Sequence, residues 1–303
     1  MNTKTPDNSS LACPVDLDQV LAGIEELPSI PETLLEILKV LDDPDSGPSD
    51  LAAVVRLDAP LMAKILRLAN SPYYNPRADI HDINRCVAVL GYRTVRQVAI
   101  CVSVATSLVS AVARTNGRLD YHELWKHSVV TGAVAKYLGQ LAKHPDPELL
   151  FSAGLLHDLG KFVLELHAPE VYDQIILNRS QSGRPLVEME REAFGFDHAH
   201  IGSAFARSWR FPPVFFDCFR DHHEQKVGTA TPGSAEQVTA LVSLADYLAN
   251  TMEPSRSDLG FDPRPLDSGQ LHHHANLSVS TVEDHLSGIR EAIQLSTAFL
   301  DLS

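Results

Sequence analysis

The sharpest chemical signal in the sequence is the string Gly154-Leu155-Leu156-His157-Asp158-Leu159-Gly160-Lys161. An imidazole followed directly by a carboxylate, after a hydrophobic helical run, offers a divalent metal one borderline and one hard ligand. An aspartate can also bridge two ions. Upstream, Glu123 and His127 stand four apart in His122-Glu123-Leu124-Trp125-Lys126-His127, so both project from one helical face. Downstream come Asp197-His198-Ala199-His200-Ile201-Gly202, then Asp221-His222-His223-Glu224, then Asp246. Asp246 lies inside the apolar helical run Val238 to Leu248. A lone carboxylate there is costly, and a metal or a cationic partner removes the cost. Each residue also has a plainer reading. His157-Asp158 can be a helix-end pair bonding its neighbours, His222-His223 a solvated helix end, and Glu123 an exposed helical acid. Of His198 and His200, spacing to Gly202 favours His198 as the inward residue. The run His272-His273-His274 reads as an exposed polar tract, because adjacent loop residues rarely converge on one ion.

Helices must position these residues. Apolar residues recur at three- and four-residue spacing in Leu34-Leu35-Leu38-Leu41, Leu51-Val54-Val55 and Leu61-Ile65-Leu68. Pro31-Glu32, Ser49-Asp50 and Asp58-Ala59-Pro60 read as helix starts, and Asp42 to Pro48 as a breaker. Convincing alternating strands are absent, so the fold class is all-α. Two lobes are expected, one over residues 16–113 and one over 114–252, with Asn116-Gly117 at the break. Residues 253–277 read as a long polar loop, and 278–303 as a segment whose helix, Thr281 to Leu300, packs back on the lobes. Trp125 and Trp209 read as core. Tyr73-Tyr74 reads as packing across the lobes or as an exposed patch. Asn70-Ser71-Pro72 reads as a helix stop, and His81, His122, His144, His167 and His285 as surface or capping residues.

The composition narrows the partners. The 303 residues carry 39 acidic and 25 basic side chains, a net charge of −14. That excess repels nucleic-acid backbones and anionic membranes. Four cysteines without a CxxC pair give no disulfide framework and no thiolate zinc site, as expected for a reducing cytoplasm. Val98 to Ala113 is the longest weakly polar run, shorter than the roughly 20 residues of a spanning helix. It reads as a helix buried on most faces. No secretory signal opens the chain.

The order Glu-x3-His, His-Asp, His, His-His, Asp resembles the HD superfamily of metal-dependent phosphohydrolases. Its spacing is closest to the HD-GYP branch, which hydrolyses cyclic dinucleotides. That resemblance implies one metal on His127, His157, Asp158 and Asp246, with Asp158 bridging to a second ion served by His198 and His222. Glu123 and His223 match positions that can hold a third, and Lys161 matches a lysine near substrate phosphate. The chain departs from the branch after Glu224, where Gln225-Lys226-Val227-Gly228 follows and no Gly-Tyr-Pro appears.

The first lobe carries Leu27-Pro28-Ser29-Ile30-Pro31, Leu57-Asp58-Ala59-Pro60-Leu61, Leu66-Arg67-Leu68-Ala69-Asn70-Ser71 and Ala88-Val89-Leu90-Gly91. These strings, with Glu192-x2-Gly195-x2-His198-x3-Gly202 and Trp209-Arg210-Phe211-Pro212, are similar to the HDOD family, the HD-related output domains of bacterial signalling. The resemblance spans about Val20 to Ala249. It implies a cytoplasmic regulatory module acting through signalling protein partners. Members commonly have an eroded metal site, whereas every matched ligand position is occupied here. Two divalent ions are therefore expected, and imidazole with carboxylate suits iron, manganese, zinc or nickel alike. The alternative is a phosphohydrolase acting on a nucleotide or phosphodiester, with Asp158 and Lys161 at its centre.

Overall fold

The structure is a computed structural model that describes residues 16–23, 28–115, 117–224, 228–252 and 268–302. Among the described residues every regular element is helical. The central element is α6 (Tyr92–Val112), apolar nearly all round and buried over most of its length. This explains why it is long and apolar enough to resemble a membrane span: most of that apolar surface is covered by the rest of the fold. On one side lie α2 (Glu32–Asp42), α3 (Pro48–Arg56), α4 (Ala59–Ala69) and α5 (Ile83–Leu90). On the other side it meets α8 (Pro147–Leu156) and α9 (Leu159–His167). One continuous hydrophobic core therefore runs through both lobes. The first helix, α1 (Leu17–Gly23), packs on α12 (His198–Ser208), so it joins the second lobe although the chain places it in the first.

Two close helix crossings fix the second lobe. The first is between α7 (Tyr121–Leu141) and α8, where Gly132 faces Gly154. A Cβ on Gly154 would lie 2.9 Å from the Gly132 Cα and 3.0 Å from the Thr131 carbonyl. The second is between α9 and α12, where a Cβ on Gly160 would overlap the backbone of His198. Both crossings bring ligand-bearing backbone closer than side chains allow.

Several helix starts and stops follow the sequence. Asp58 caps α4 by accepting from the Leu61 N–H at 2.9 Å. Asn70 ends α4 by donating to the Leu66 and Ile80 carbonyls and accepting from the Ile80 N–H. At α3 the cap is Gly47 rather than Ser49-Asp50. The helix begins one residue earlier, at Pro48, and Asp50 reaches back to the Gly47 N–H at 2.8 Å. Tyr73 does pack across the lobes, its ring 5.7 Å from Phe151 and 5.1 Å from Phe299. Trp125 and Trp209 are buried.

The C-terminal region differs from the expectation in two respects. The segment read as a loop contains α15 (Ser268–His274), which buries Leu271, His272 and His274. Two imidazoles of the triple-histidine run are thus internal, and His274 donates to the Gly228 carbonyl at 3.0 Å. A helix turns adjacent residues about 100° apart, which let Leu271 carry its neighbours inward. The rest of the loop reading, residues 253–267, lies outside the described residues. The single helix expected over Thr281 to Leu300 is instead α16 (Val279–Asp284), α17 (Leu286–Ser296) and a 3-10 turn (Thr297–Leu302). The break falls at His285, whose Nδ1 sits 3.1 Å from the Tyr137 hydroxyl on α7. The turn then inserts Phe299 into the core, where its carbonyl accepts from Trp125 Nε1 at 3.1 Å. His144 is buried too, its Nδ1 accepting from the Asp146 N–H at 3.1 Å.

Candidate metal centre

Five helical elements deliver the clustered side chains. Asp120 caps α7, and His127 follows two turns later on its buried face. Helix α8 ends at Leu156; His157 and Asp158 form the junction before α9. His198 opens α12, His222 and His223 follow α13 (Pro213–Asp221), and Asp246 lies within α14 (Ala235–Met252). These side chains form two groups whose ligand atoms lie within 4.8 Å of one another: His127, His157 and Asp246, and Asp158, His198, His222 and His223.

Asp158 faces both. Its Oδ2 lies 3.4 Å from His157 Nε2 and 3.9 Å from His127 Nε2. Its Oδ1 lies 3.3 Å from His198 Nε2 and 3.6 Å from His222 Nε2. Asp246 Oδ1 stands 3.0 Å from His127 Nε2 and 3.7 Å from His157 Nε2. Two ligand atoms bonded at about 2.0–2.2 Å to one tetrahedral ion sit roughly 3.3–3.6 Å apart. Most of these separations fall in or near that range.

The tautomers are set by the outer partners. His157 and His222 each sit just past a helix C-terminus and donate Nδ1–H to a carbonyl three residues back, Gly154 and Phe219, both at 2.7 Å. His198 Nδ1 meets Glu190 Oε2 at 2.6 Å. Carbonyls and ionised carboxylates only accept, so in each neutral ring Nε2 is left as a lone pair aimed inward. The inward Nε2 atoms of His157 and His222 are therefore acceptors facing the Asp158 carboxylate, which also accepts. Among the described residues, His157 Nε2, His222 Nε2 and Asp158 Oδ1 are buried without a hydrogen-bond partner. Such a cluster fits a divalent cation and is unfavourable without one.

The charge balance agrees. Burial alone raises the Asp158 carboxyl, but His157, Lys161, His222 and His198 outweigh it and hold the group well below the usual carboxylate range. Lys161 Nζ lies 2.5 Å from Asp158 Oδ2. Asp246 is likewise held low against its burial by His127 and His157. Burial lowers His157, yet the Asp158 and Asp246 carboxylates leave it raised; for His222 burial dominates and the imidazole is lowered.

Eight of the nine residues expected at the site meet here, and one does not. Glu123 is only half-buried and belongs to neither group, because it sits at the exposed start of α7. His223 joins the second group rather than a third position, its Nε2 2.8 Å from His198 Nε2. His200 turns outward to Asp197. Sequence reasoning missed Glu190 and Asn250. Glu190, fully buried on α11 (Leu186–Phe194), accepts from the His198 N–H and Nδ1–H and from the Tyr172 hydroxyl. Asn250 donates to Asp246 Oδ1 at 2.9 Å. Glu190 lies on the apolar face of Leu186, Val187 and Met189, the same buried-acid signal that exposed Asp246.

With this geometry in hand, comparison with known proteins gives the family. The HDOD domain family profile matches residues 27–225, and the chain belongs to that family. A protein of Treponema pallidum (strain Nichols), itself uncharacterised, is 26% identical over 233 residues, 76% of this chain and 42% of its own length. The chain thus spans under half the length of the curated relatives it matches. An HDOD domain protein of unknown function from Geobacter sulfurreducens shares the fold with a TM-score of 0.72 at 24% identity, covering 91% of this chain and 96% of that one. A candidate phosphohydrolase from Shewanella amazonensis SB2B gives 0.69 at 23% identity, covering 92% and 97%.

Proposed function

We propose that this HDOD chain is a regulatory module of bacterial signalling that acts through protein partners and is built around a closed two-metal centre. His127, His157, Asp158 and Asp246 would hold one ion. Asp158, His198, His222 and His223 would hold the other. The observation that carries this reading is burial: the seven side chains are between 0 and 6% exposed. Structural metal sites are closed, whereas hydrolytic ones keep a position open to water and substrate. The net charge of −14 supports a protein partner over a nucleic-acid polymer. The cytoplasm is the matching compartment. Iron, manganese, zinc and nickel all suit the donors.

A second reading, metal-dependent hydrolysis of a nucleotide or phosphodiester, is favoured by Lys161, a buried cation beside the bridging carboxylate. Bound metals would there supply an activated water and neutralise phosphate charge. Metal analysis of the purified chain, followed by turnover assays on phosphomonoesters, nucleotides and cyclic dinucleotides, separates the two. The regulatory reading expects about two bound ions, lost in Asp158→Asn, and no turnover. Turnover abolished by Asp158→Asn would overturn it in favour of the hydrolase, and a chain binding no metal would overturn both.

A further inference from the structure

Glu165 stands outside the metal centre, and nothing in the proposed function uses it. It lies on α9, seven residues after Asp158, with its side chain fully buried. Its Oε1 sits 3.0 Å from the hydroxyl of Thr115, in the connection between α6 and α7. Among the described residues its Oε2 is buried without a hydrogen-bond partner. The backbone of Gly117, in the same connection, lies so close to the carboxyl that a Cβ there would overlap it.

The hydrogen count leaves the carboxyl short of donors. The Thr115 hydroxyl owns one proton and also lies 2.8 Å from the Val112 carbonyl, which can only accept. Thr115 is the donor to Glu165, and it divides its single proton between Oε1 and the Val112 carbonyl. A buried carboxylate with a shared donor on one oxygen and none on the other is costly, so the site favours the protonated form.

The described surroundings agree. On α10 (Pro169–Ser182), Asp173 adds negative charge and binds the Arg118 N–H, while the Tyr172 hydroxyl donates to Glu190. Lys161, one turn earlier on α9, pairs with Asp158. Arg114 and Arg118 of the connection are exposed, as is His167 at the end of α9. Burial, reinforced by Asp173 and opposed by the Thr115 bond, pushes the carboxyl up to about 7.

We propose that Glu165, Thr115 and Gly117 form a proton-operated clasp that ties the connection between the two lobes to the helix leading out of the metal centre. Protonated, the clasp is closed. Ionised, the buried carboxylate has no cation paired with it among the described residues and only the shared Thr115 proton to accept, so it draws toward water and the connection loosens from α9. The sign follows from the raised value. The clasp contributes fully below the ordinary carboxyl range and is lost as pH rises through about 7.

Hydrogen exchange of the peptide spanning residues 113–120, corrected for intrinsic rates, tests this in the full chain. Wild type should exchange at least about tenfold faster at pH 8.5 than at pH 6, while Glu165→Gln, which keeps a neutral group able to donate to Thr115, should remain protected at both. Equal protection of wild type at the two values, or the same pH dependence in Glu165→Gln, overturns the clasp. If the variant fails to fold, carboxyl 13C NMR of wild type decides. A Glu165 midpoint near 7 supports the proposal, and one below 5 refutes it.

Discussion

Glu190→Gln probes the centre without touching a ligand. Glu190 Oε2 accepts both the backbone N–H of His198, at 2.9 Å, and its ring Nδ1–H, at 2.6 Å, while Oε1 accepts the Tyr172 hydroxyl at 3.0 Å. A glutamine has one accepting oxygen. If that oxygen faces His198, the amide NH2 meets the Tyr172 hydroxyl, which can turn and accept. The ring hydrogen bond survives but loses its charge. If the amide flips, two N–H groups of His198 face an N–H donor. The change therefore removes at least the charge assistance of one buried bond, worth about 1–2 kcal/mol. Because this bond fixes the tautomer and angle of His198 Nε2, the loss falls on metal affinity, in the range of 10–100-fold seen when such outer partners are removed. Competition against a chromogenic chelator reads the dissociation constants directly, and circular dichroism checks that the fold persists. A folded Glu190→Gln chain whose weaker metal site stays within twofold of wild type would refute the reasoning that the outer carboxylate poises His198.

Further outcomes follow from the same geometry. Gly160→Ala places a methyl against the His198 backbone, and overpacking of this kind destabilises by about 1–3 kcal/mol, so thermal unfolding should fall by several degrees and the weaker metal site should weaken with it. An unchanged midpoint would show that α9 and α12 can part freely. Metal retention should fall on acidification. Because the Asp158 and Asp246 carboxylates leave His157 raised despite burial, protons compete for its Nε2 above the ordinary imidazole value of about 6.5. Dialysis from pH 8 to pH 5.5 followed by metal analysis should show release, and full retention at pH 5.5 contradicts the assignment of His157 as a ligand. Removing metal with a chelator should lower the thermal midpoint, because ions that bind only the folded chain stabilise it by mass action. No shift in midpoint would mean that no ion was bound.

The sequence by itself determined the helices and most of the site. Periodic apolar residues and caps such as Asp58 act within one or two turns, so they read directly from local spacing. The order of His127, His157, Asp158, His198, His222 and His223 was legible as a resemblance to the HD superfamily, and Asp246 because a carboxylate inside an apolar helical run needs a partner. Even Glu190 carried that signal on the face of α11. Tertiary structure alone decided how these residues divide. Asp158 splits its oxygens between the groups because the Gly132–Gly154 and Gly160–His198 crossings set how near the helices come, and such distances are not encoded in any one segment. The same limit explains the C-terminus. Whether His285 continues a helix or breaks it depends on the Tyr137 hydroxyl, 148 residues earlier in the chain. Long-range contacts also turned His272 and His274 inward and left Glu123 at the half-exposed start of α7. Local chemistry chose the groups, and packing between distant helices chose which of them meet.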